Sequence, residues 1–398
     1  IIYLRNVITM QNSNSAIRLR FQLLYFALYG TMACYYPFLP LYMESNGLSY
    51  TEIGIVFAVN SLVGIIAQPI WGYVTDKHLT KKKTLLIGCM FCAVLIFNFL
   101  MAHSFAYILA SVFLLVIFQS VISPMCDACS YEVMDHTAAF SFGQVRFLGS
   151  VGFAVISLLL GKIIQMSSLS SSFILYSLLY LLTAYLVFGI KPTGKTGINR
   201  PGLKDILDTV KQFRFMVFLF SVLLLNIGLG ANSSYLSVLV AETGGDAAII
   251  GFVWFVVAIS EIPAFFFGNS FQKKYGELNI YLWAAGLYVL RFFLCSLEQS
   301  YITVIAIQLM QGFSYPLYLL GAMQYLYKTV PEHIRTSGIT ILSSLGFGLG
   351  SFIGNLGGGI IVENHGIYFL YRALSVCCAL ALLTGLYLKV KDRKATVK

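Results

Sequence analysis

Twelve stretches of mostly apolar residues, each about 20 or more residues long, follow one another between short polar breaks. They lie near 20–43, 51–75, 83–102, 106–133, 142–165, 170–190, 212–240, 247–272, 277–297, 300–328, 336–362 and 366–388. Lipid offers backbone N–H and C=O groups no partner, so an apolar run of about 20 residues spans a membrane as a helix. Composition agrees: the chain is 58% hydrophobic and 11% charged, with mean hydropathy +0.81, where a soluble domain carries about 25% charged residues. The expected fold is all-α, an integral membrane protein with 12 transmembrane helices.

One long polar interruption, KPTGKTGINRPGLKDILDTVK at 191–211, divides the runs into six and six. The expected organisation is a tail at 1–19, an N-terminal six-helix bundle at 20–190, the central loop at 191–211, a C-terminal bundle at 212–388 and a tail at 389–398. Lys77, Lys81, Lys82, Lys83, the five basic residues of the central loop, Lys273, Lys274, Lys328, Arg335 and the C-terminal lysines and arginine fall on one side. The opposite loops carry Glu44, Glu52, Glu242, Asp246, Glu298 and Glu363, with Lys162 their one basic residue. Lysine and arginine mark cytoplasmic loops, so both termini are expected in the cytoplasm and the chain in the cell membrane. The net charge of +10 thus serves topology, and no basic helix or aromatic-studded basic strand suggests a nucleic-acid partner. The chain begins with Ile1, and Met10 opens a more ordinary start. The first apolar run lacks a small-residue cleavage site, which argues against a removable signal peptide.

Charges inside the runs are few. Asp127 lies about 6 residues before the turn between spans four and five, and Arg146 about 5 residues after it. At about 1.5 Å rise per residue, both sit roughly 8–9 Å inside the apolar slab. A charge at the centre of a span costs at least about 2.5–3.5 kcal/mol, so such groups face a cavity and find partners. Asp127 and Arg146 are therefore expected to pair. Glu261 in span eight and Arg291 in span nine are the corresponding charges of the second half, and a Glu261–Arg291 bridge is the simplest structural reading of them.

Other features have plainer readings. All eight cysteines fall in apolar runs; Cys89/Cys92 and Cys126/Cys129 have CxxC spacing without the context of a metal site, so no metal or cofactor is expected. The five histidines fall in or near loops without metal-ligand spacing. FGLGSFIGNLGGG, with Gly350 and Gly354 at small-xxx-small spacing, reads as a helix-packing face rather than a phosphate loop, because no strand precedes it. No Ser/His/Asp grouping or HExxH motif appears, and the chain does not read as an enzyme.

The loop after the second span, G-Y-V-T-D-K-H-L-T-K-K-K from Gly72, has a small residue at a helix junction, an acid at Asp76 and lysines at 77, 81 and 82. The spacing resembles the loop signature of the major facilitator superfamily of transporters. Its second-half counterpart, Gly268 to Lys274, is a degraded copy with Gln272 where the acid stood, as a duplicated transporter predicts. YYPFLPLYMESNGLSYTEIGIVFAVNSLVGIIAQPIWGYVTDK and FGQVRFLGSVGF sharpen the likeness to the lactose permease and phenylpropionate permease branch.

That resemblance implies two six-helix bundles, each of 3 + 3 inverted repeats, around a cavity that opens alternately to either side. It implies Asp127, Arg146, Phe153, Asn232 and Gln311 as substrate contacts, Glu261 and Arg291 as the proton-coupling pair, and Gly72, Asp76, Lys77, Lys81 and Lys82 as a gating loop. The chain departs from the branch in several places. Asp127 replaces a glutamate and Phe153 the sugar-stacking tryptophan, Gln311 and Ser314 stand in the coupling motif of span ten, and Asn226 and Asn232 occupy span seven. The expected function is secondary active transport of a small organic solute (a sugar, nucleoside or aromatic acid) by a monomer, coupled to protons. A drug/proton antiporter shares the fold, but GSVGFAVISLLLG lacks a run resembling the G-x-x-x-G-P signature. A non-transporting sensor of the same fold is the third reading.

Overall fold

The computed structural model describes residues 2–101, 104–137, 140–190, 212–297, 300–331 and 335–396. The central loop at 191–211 lies outside the described residues. Everything regular among the described residues is helix.

The first six spans are built from α1 (Ile2–Tyr35) with the short α2 (Leu39–Ser45), α3 (Tyr50–Lys77), α4 (Lys81–Leu95) with a 3₁₀ turn at Ile96–Met101, α5 (Phe105–Thr137), α6 (Phe142–Met166) and α7 (Ser171–Phe188). The second six are α8 (Phe213–Glu242), α9 (Ala247–Tyr275), α10 (Glu277–Cys295), α11 (Tyr301–Gln308) continued by α12 (Gln311–Thr329), α13 (Arg335–Ile341) continued through a π-helical stretch into α14 (Gly350–His365), and α15 (Ile367–Thr396). Eleven of these stretches are long and apolar enough to cross a membrane among the described residues; α1, apolar from Phe21 onward, completes the twelve. Side chains such as Tyr185, Phe188 and Met166 are more than 70% exposed, which suits a surface wetted by lipid rather than water.

Two compact units emerge: residues 1–39 with 63–197, and 40–62 with 198–398. The first half of α3, up to Leu62 and counted with the first bundle in the sequence, thus groups with the second unit. There Glu363 accepts from the Tyr50 N–H at 2.7 Å, and a Cβ on Gly54 would lie 3.0 Å from the Gly359 Cα. Within the first unit, α1 packs on α6 and α7, and α4 on α5 and α7. Within the second, α8 packs on α14 and α15, and α10 on α12 and α15. Spans one and three of each unit therefore choose the same partners, which is the duplication that the matching loops suggested.

Glycine sets the closest crossings. A Cβ on Gly152 would strike the Phe26 carbonyl of α1, and one on Gly354 the Ile227 carbonyl of α8. One turn before Gly354, Gly350 lies 2.7 Å from the Asn226 Cβ by the same measure. The FGLGSFIGNLGGG run is a packing face. Without an apolar gain from burial in lipid, such close backbone contact is what holds spans together.

Candidate functional site

In the first unit, Asp127 sits on α5 just past Pro124, and its carboxylate accepts from the Tyr25 hydroxyl at 2.6 Å. The same hydroxyl lies 3.1 Å from Ser130 Oγ. One turn along α1, the Tyr29 ring carries the Arg146 guanidinium 3.9 Å from its centroid. Gly149 makes that stacking possible: a Cβ there would be 2.8 Å from the Tyr29 ring and 3.0 Å from Arg146 Nη1. The G-x-x-R-x-x-G-x-x-G run thus seats α6 and its arginine against the Tyr29 ring and the Phe26 backbone of α1.

The direct ion pair expected of Asp127 and Arg146 is not formed; the two charges are held separately, one by a phenol hydroxyl and one by an aromatic face. The physical reason is local. A charge-assisted O–H···O⁻ bond and a cation–π contact each stabilise a partly desolvated charge, and α1 offers both within one turn. Phe153 lies two helical turns beyond Arg146 on α6 and is half-buried.

In the second unit Arg291 is 1% exposed on α10. Its Nη1 donates to Gln311 Oε1 and its Nη2 to Gln308 Oε1. Gln311 turns its amide nitrogen to Glu261 Oε1 at 3.1 Å. A simple Glu261–Arg291 bridge is therefore replaced by a chain, Arg291–Gln311–Glu261, with a carboxamide in the middle. Gly312 seats this arrangement, because a Cβ there would strike the Ser260 carbonyl and push α12 off α9. An amide can donate and accept at once, so glutamine at position 311 links both charges without adding one.

Asn232 accepts from the Tyr371 hydroxyl at 3.1 Å and so ties α8 to α15. Asn226 donates to the Val222 carbonyl at 2.8 Å and contacts the Tyr318 hydroxyl.

Around the loop from Gly72, the exposed Asp76 and Lys77 end α3, and Lys77 donates to the Tyr73 hydroxyl at 3.0 Å. Thr80 caps α4 by accepting from the Lys83 N–H at 3.2 Å. Lys81 pairs with Glu132 at 3.0 Å. Lys82 donates to the carbonyls of Phe188 and Ile190, both at 2.6 Å, and Arg20 to that of Gly189. The lysines read from sequence as topology signals therefore also close the end of α7, where helix carbonyls lack partners.

Sequence reasoning missed Tyr25, Tyr29 and Gln308. The tyrosines are hidden among 25 in the chain, and only their spacing opposite the glycine run of α6 could have singled them out.

The family described as "MFS_1 like family" matches residues 18–373. The chain belongs to the major facilitator superfamily, and it is a multi-pass membrane transporter, not an enzyme. It is 28% identical over 367 residues to the protein called "Uncharacterized transporter YwbF" of Bacillus subtilis (strain 168), covering 91% of each chain. It is 27% identical over 379 residues to a maltose permease of Geobacillus stearothermophilus, covering 94% of this chain and 95% of the relative. A crystal structure of the nucleoside transporter NupG superposes with TM-score 0.82 at 17% identity, covering 94% of this chain and 98% of that one. That likeness fixes the fold.

Proposed function

We propose that this facilitator-family transporter is a proton-coupled symporter that imports a small organic solute, a sugar or nucleoside before an aromatic acid. The observation that carries the reading is the Arg291–Gln311–Glu261 chain. It holds a carboxyl group inside a span, joined to a buried guanidinium through a group that can turn. Burial favours the protonated form of a carboxyl group and a nearby guanidinium the ionised form. A shift in the distance between them on opening and closing then takes up and releases a proton, and the difference in binding between states couples it to the solute. The maltose permease relative supports a sugar, and the NupG fold is compatible with a nucleoside.

Asp127, Arg146 and Phe153 of the first unit, and Asn232 and Gln311 of the second, are the proposed substrate contacts. Glu261 with Arg291 is the proposed coupling pair, and the Gly72–Lys82 loop the gating element. The protein acts as a monomer in the cell membrane with both termini in the cytoplasm, as the lysine and arginine asymmetry supports.

Purified protein in proteoliposomes, offered a panel of sugars, nucleosides and aromatic acids with and without an imposed pH gradient, tests the proposal. The expected result is accumulation of one class of solute driven by inward proton flow. Solute moving against the proton flow makes the protein an antiporter and overturns symport; accumulation indifferent to the gradient overturns proton coupling.

A further inference from the structure

The two units close the same corner differently. In the first, the end of α7 meets α1 at Arg20 and the start of α4 at Lys82, and these two side chains fill the corner by donating to the carbonyls of Phe188, Gly189 and Ile190. By order in the repeat, the second-unit counterparts are α15, α8 and α10, with Arg214 for Arg20 and Leu278 for Lys82. Here α15 does not end but runs on to Thr396. Its carbonyls at the level of Lys389 belong to the helix ladder and cannot receive side-chain cations as those of α7 do. What lies there is a cavity of about 500 Å³ lined by Arg214, Lys328, Lys389, Glu277, Gln212 and Asn279 among others. The ion pair flanking the corner is also reversed in sign: Lys81–Glu132 in the first unit becomes Glu277–Lys328, at 2.6 Å, in the second.

Three cations against one carboxylate, with two amide side chains, make a site for an oxyanion. Its surroundings say which. Phe213 and Tyr387, neighbours in sequence of the lining residues, are 49% and 55% exposed, and their rings meet edge-on at 6.5 Å. The Lys391 ammonium lies 3.5 Å from the Phe213 ring centroid. Exposed aromatics beside lysine and arginine mark the level where acyl chains give way to headgroups, and basic pockets between spans at that level suit anionic headgroups. We infer that this cavity binds the phosphate of an anionic phospholipid, with Arg214 and Lys389 as its principal contacts.

The test is titration of the full-length protein in uncharged detergent with phosphatidylglycerol, phosphatidylcholine or inorganic phosphate, read as retained lipid by native mass spectrometry and as a shift in the unfolding midpoint. Phosphatidylglycerol is expected to bind and stabilise where phosphatidylcholine does not. At about 1 kcal/mol per cation, the double variant Arg214→Gln/Lys389→Gln should need about 30-fold more of it. Lys273→Gln/Lys274→Gln removes the same charge outside the cavity and should change nothing. Should the first variant fail to fold, Leu278→Glu adds a carboxylate to the lining and is expected to weaken retention while leaving the cations in place. Equal retention in wild type and cavity variants, equal loss in the control variant, or equal binding of phosphatidylcholine overturns the site. Stabilisation by inorganic phosphate matching that by phosphatidylglycerol overturns the lipid in favour of a soluble phosphate.

Discussion

Arg291 reaches Glu261 through the carboxamide of Gln311, which accepts from the guanidinium and donates to the carboxylate at 3.1 Å. Gln308 holds the other terminal guanidinium nitrogen, Nη2, but bonds Cys295 Sγ, at 3.7 Å, with its own amide. Both glutamines thus bond a buried cation, whose Nε has no hydrogen-bond partner, and only one leads to the acid. Replacing either by leucine should lower stability by about 1.5–3 kcal/mol, the range for a hydrogen bond to a charged group. Only Gln311→Leu should also impair pH-driven accumulation. Unfolding midpoints in detergent and uptake at equal amounts of folded protein separate the two effects; equal uptake by both variants would show that the chain is structural.

Tyr29 supports Arg146 through its ring and Tyr25 supports Asp127 through its hydroxyl, so the two positions should respond to opposite substitutions. Tyr29→Phe keeps the aromatic face and should transport nearly as wild type. Tyr29→Leu loses about 0.5–2 kcal/mol of cation–π attraction, which should raise the half-saturating substrate concentration about 2–30-fold. At position 25 the phenylalanine variant is the damaging one. A Tyr29→Phe variant as impaired as Tyr29→Leu would transfer the role from the ring to the hydroxyl.

Gly152 and Gly354 are predicted to tolerate nothing larger, because a side chain at either meets a neighbouring backbone carbonyl that cannot swing away. Leucine at either should abolish the folded peak in size-exclusion chromatography. Gly143 and Gly357 have nothing within 4 Å of a Cβ, so alanine there should leave expression unchanged. A folded Gly354→Leu protein would show that α8 and α14 need not cross so closely.

The fold was legible because lipid leaves a chain few options: twelve apolar runs and a lysine-marked side already imply twelve helices. The charges at 127, 146, 261 and 291 were legible for the same reason, since each is costly unless used. Their partners were not. A tyrosine such as Tyr25 looks the same in a lipid-facing belt or beneath an aspartate, and only the approach of α1 to α5 distinguishes the two. Gln311 stood out as a departure from the related permeases, yet nothing in its neighbours along the chain says that it faces both a cation and an anion. The lysines at 81 and 82 carried two meanings, orientation and closure of α7, and sequence exposes only the first.

Asp76 is exposed at the end of α3, next to the junction with α4 rather than in the middle of a span. Asp76→Asn is therefore expected to slow transport while leaving equilibrium substrate binding intact. Binding measured by calorimetry beside initial uptake rates checks this; loss of binding in a folded variant would place Asp76 in the substrate site.

Glu261→Gln isolates the coupling step. The substitution keeps the size of the side chain and an oxygen to accept from Gln311, but it cannot ionise. If Glu261 carries the proton, the variant should still exchange labelled substrate across the membrane, because exchange needs the loaded carrier to reorient without net proton movement. It should fail to accumulate substrate when a pH gradient is imposed. If the Arg291–Gln311–Glu261 chain only fastens α9, α10 and α12 together, the loss of the negative charge leaves a buried guanidinium uncompensated. Exchange and accumulation should then fall together, along with the unfolding midpoint. Accumulation that persists in Glu261→Gln would remove the acid from the coupling step and leave Asp127, held by Tyr25 in the other unit, as the group to test next.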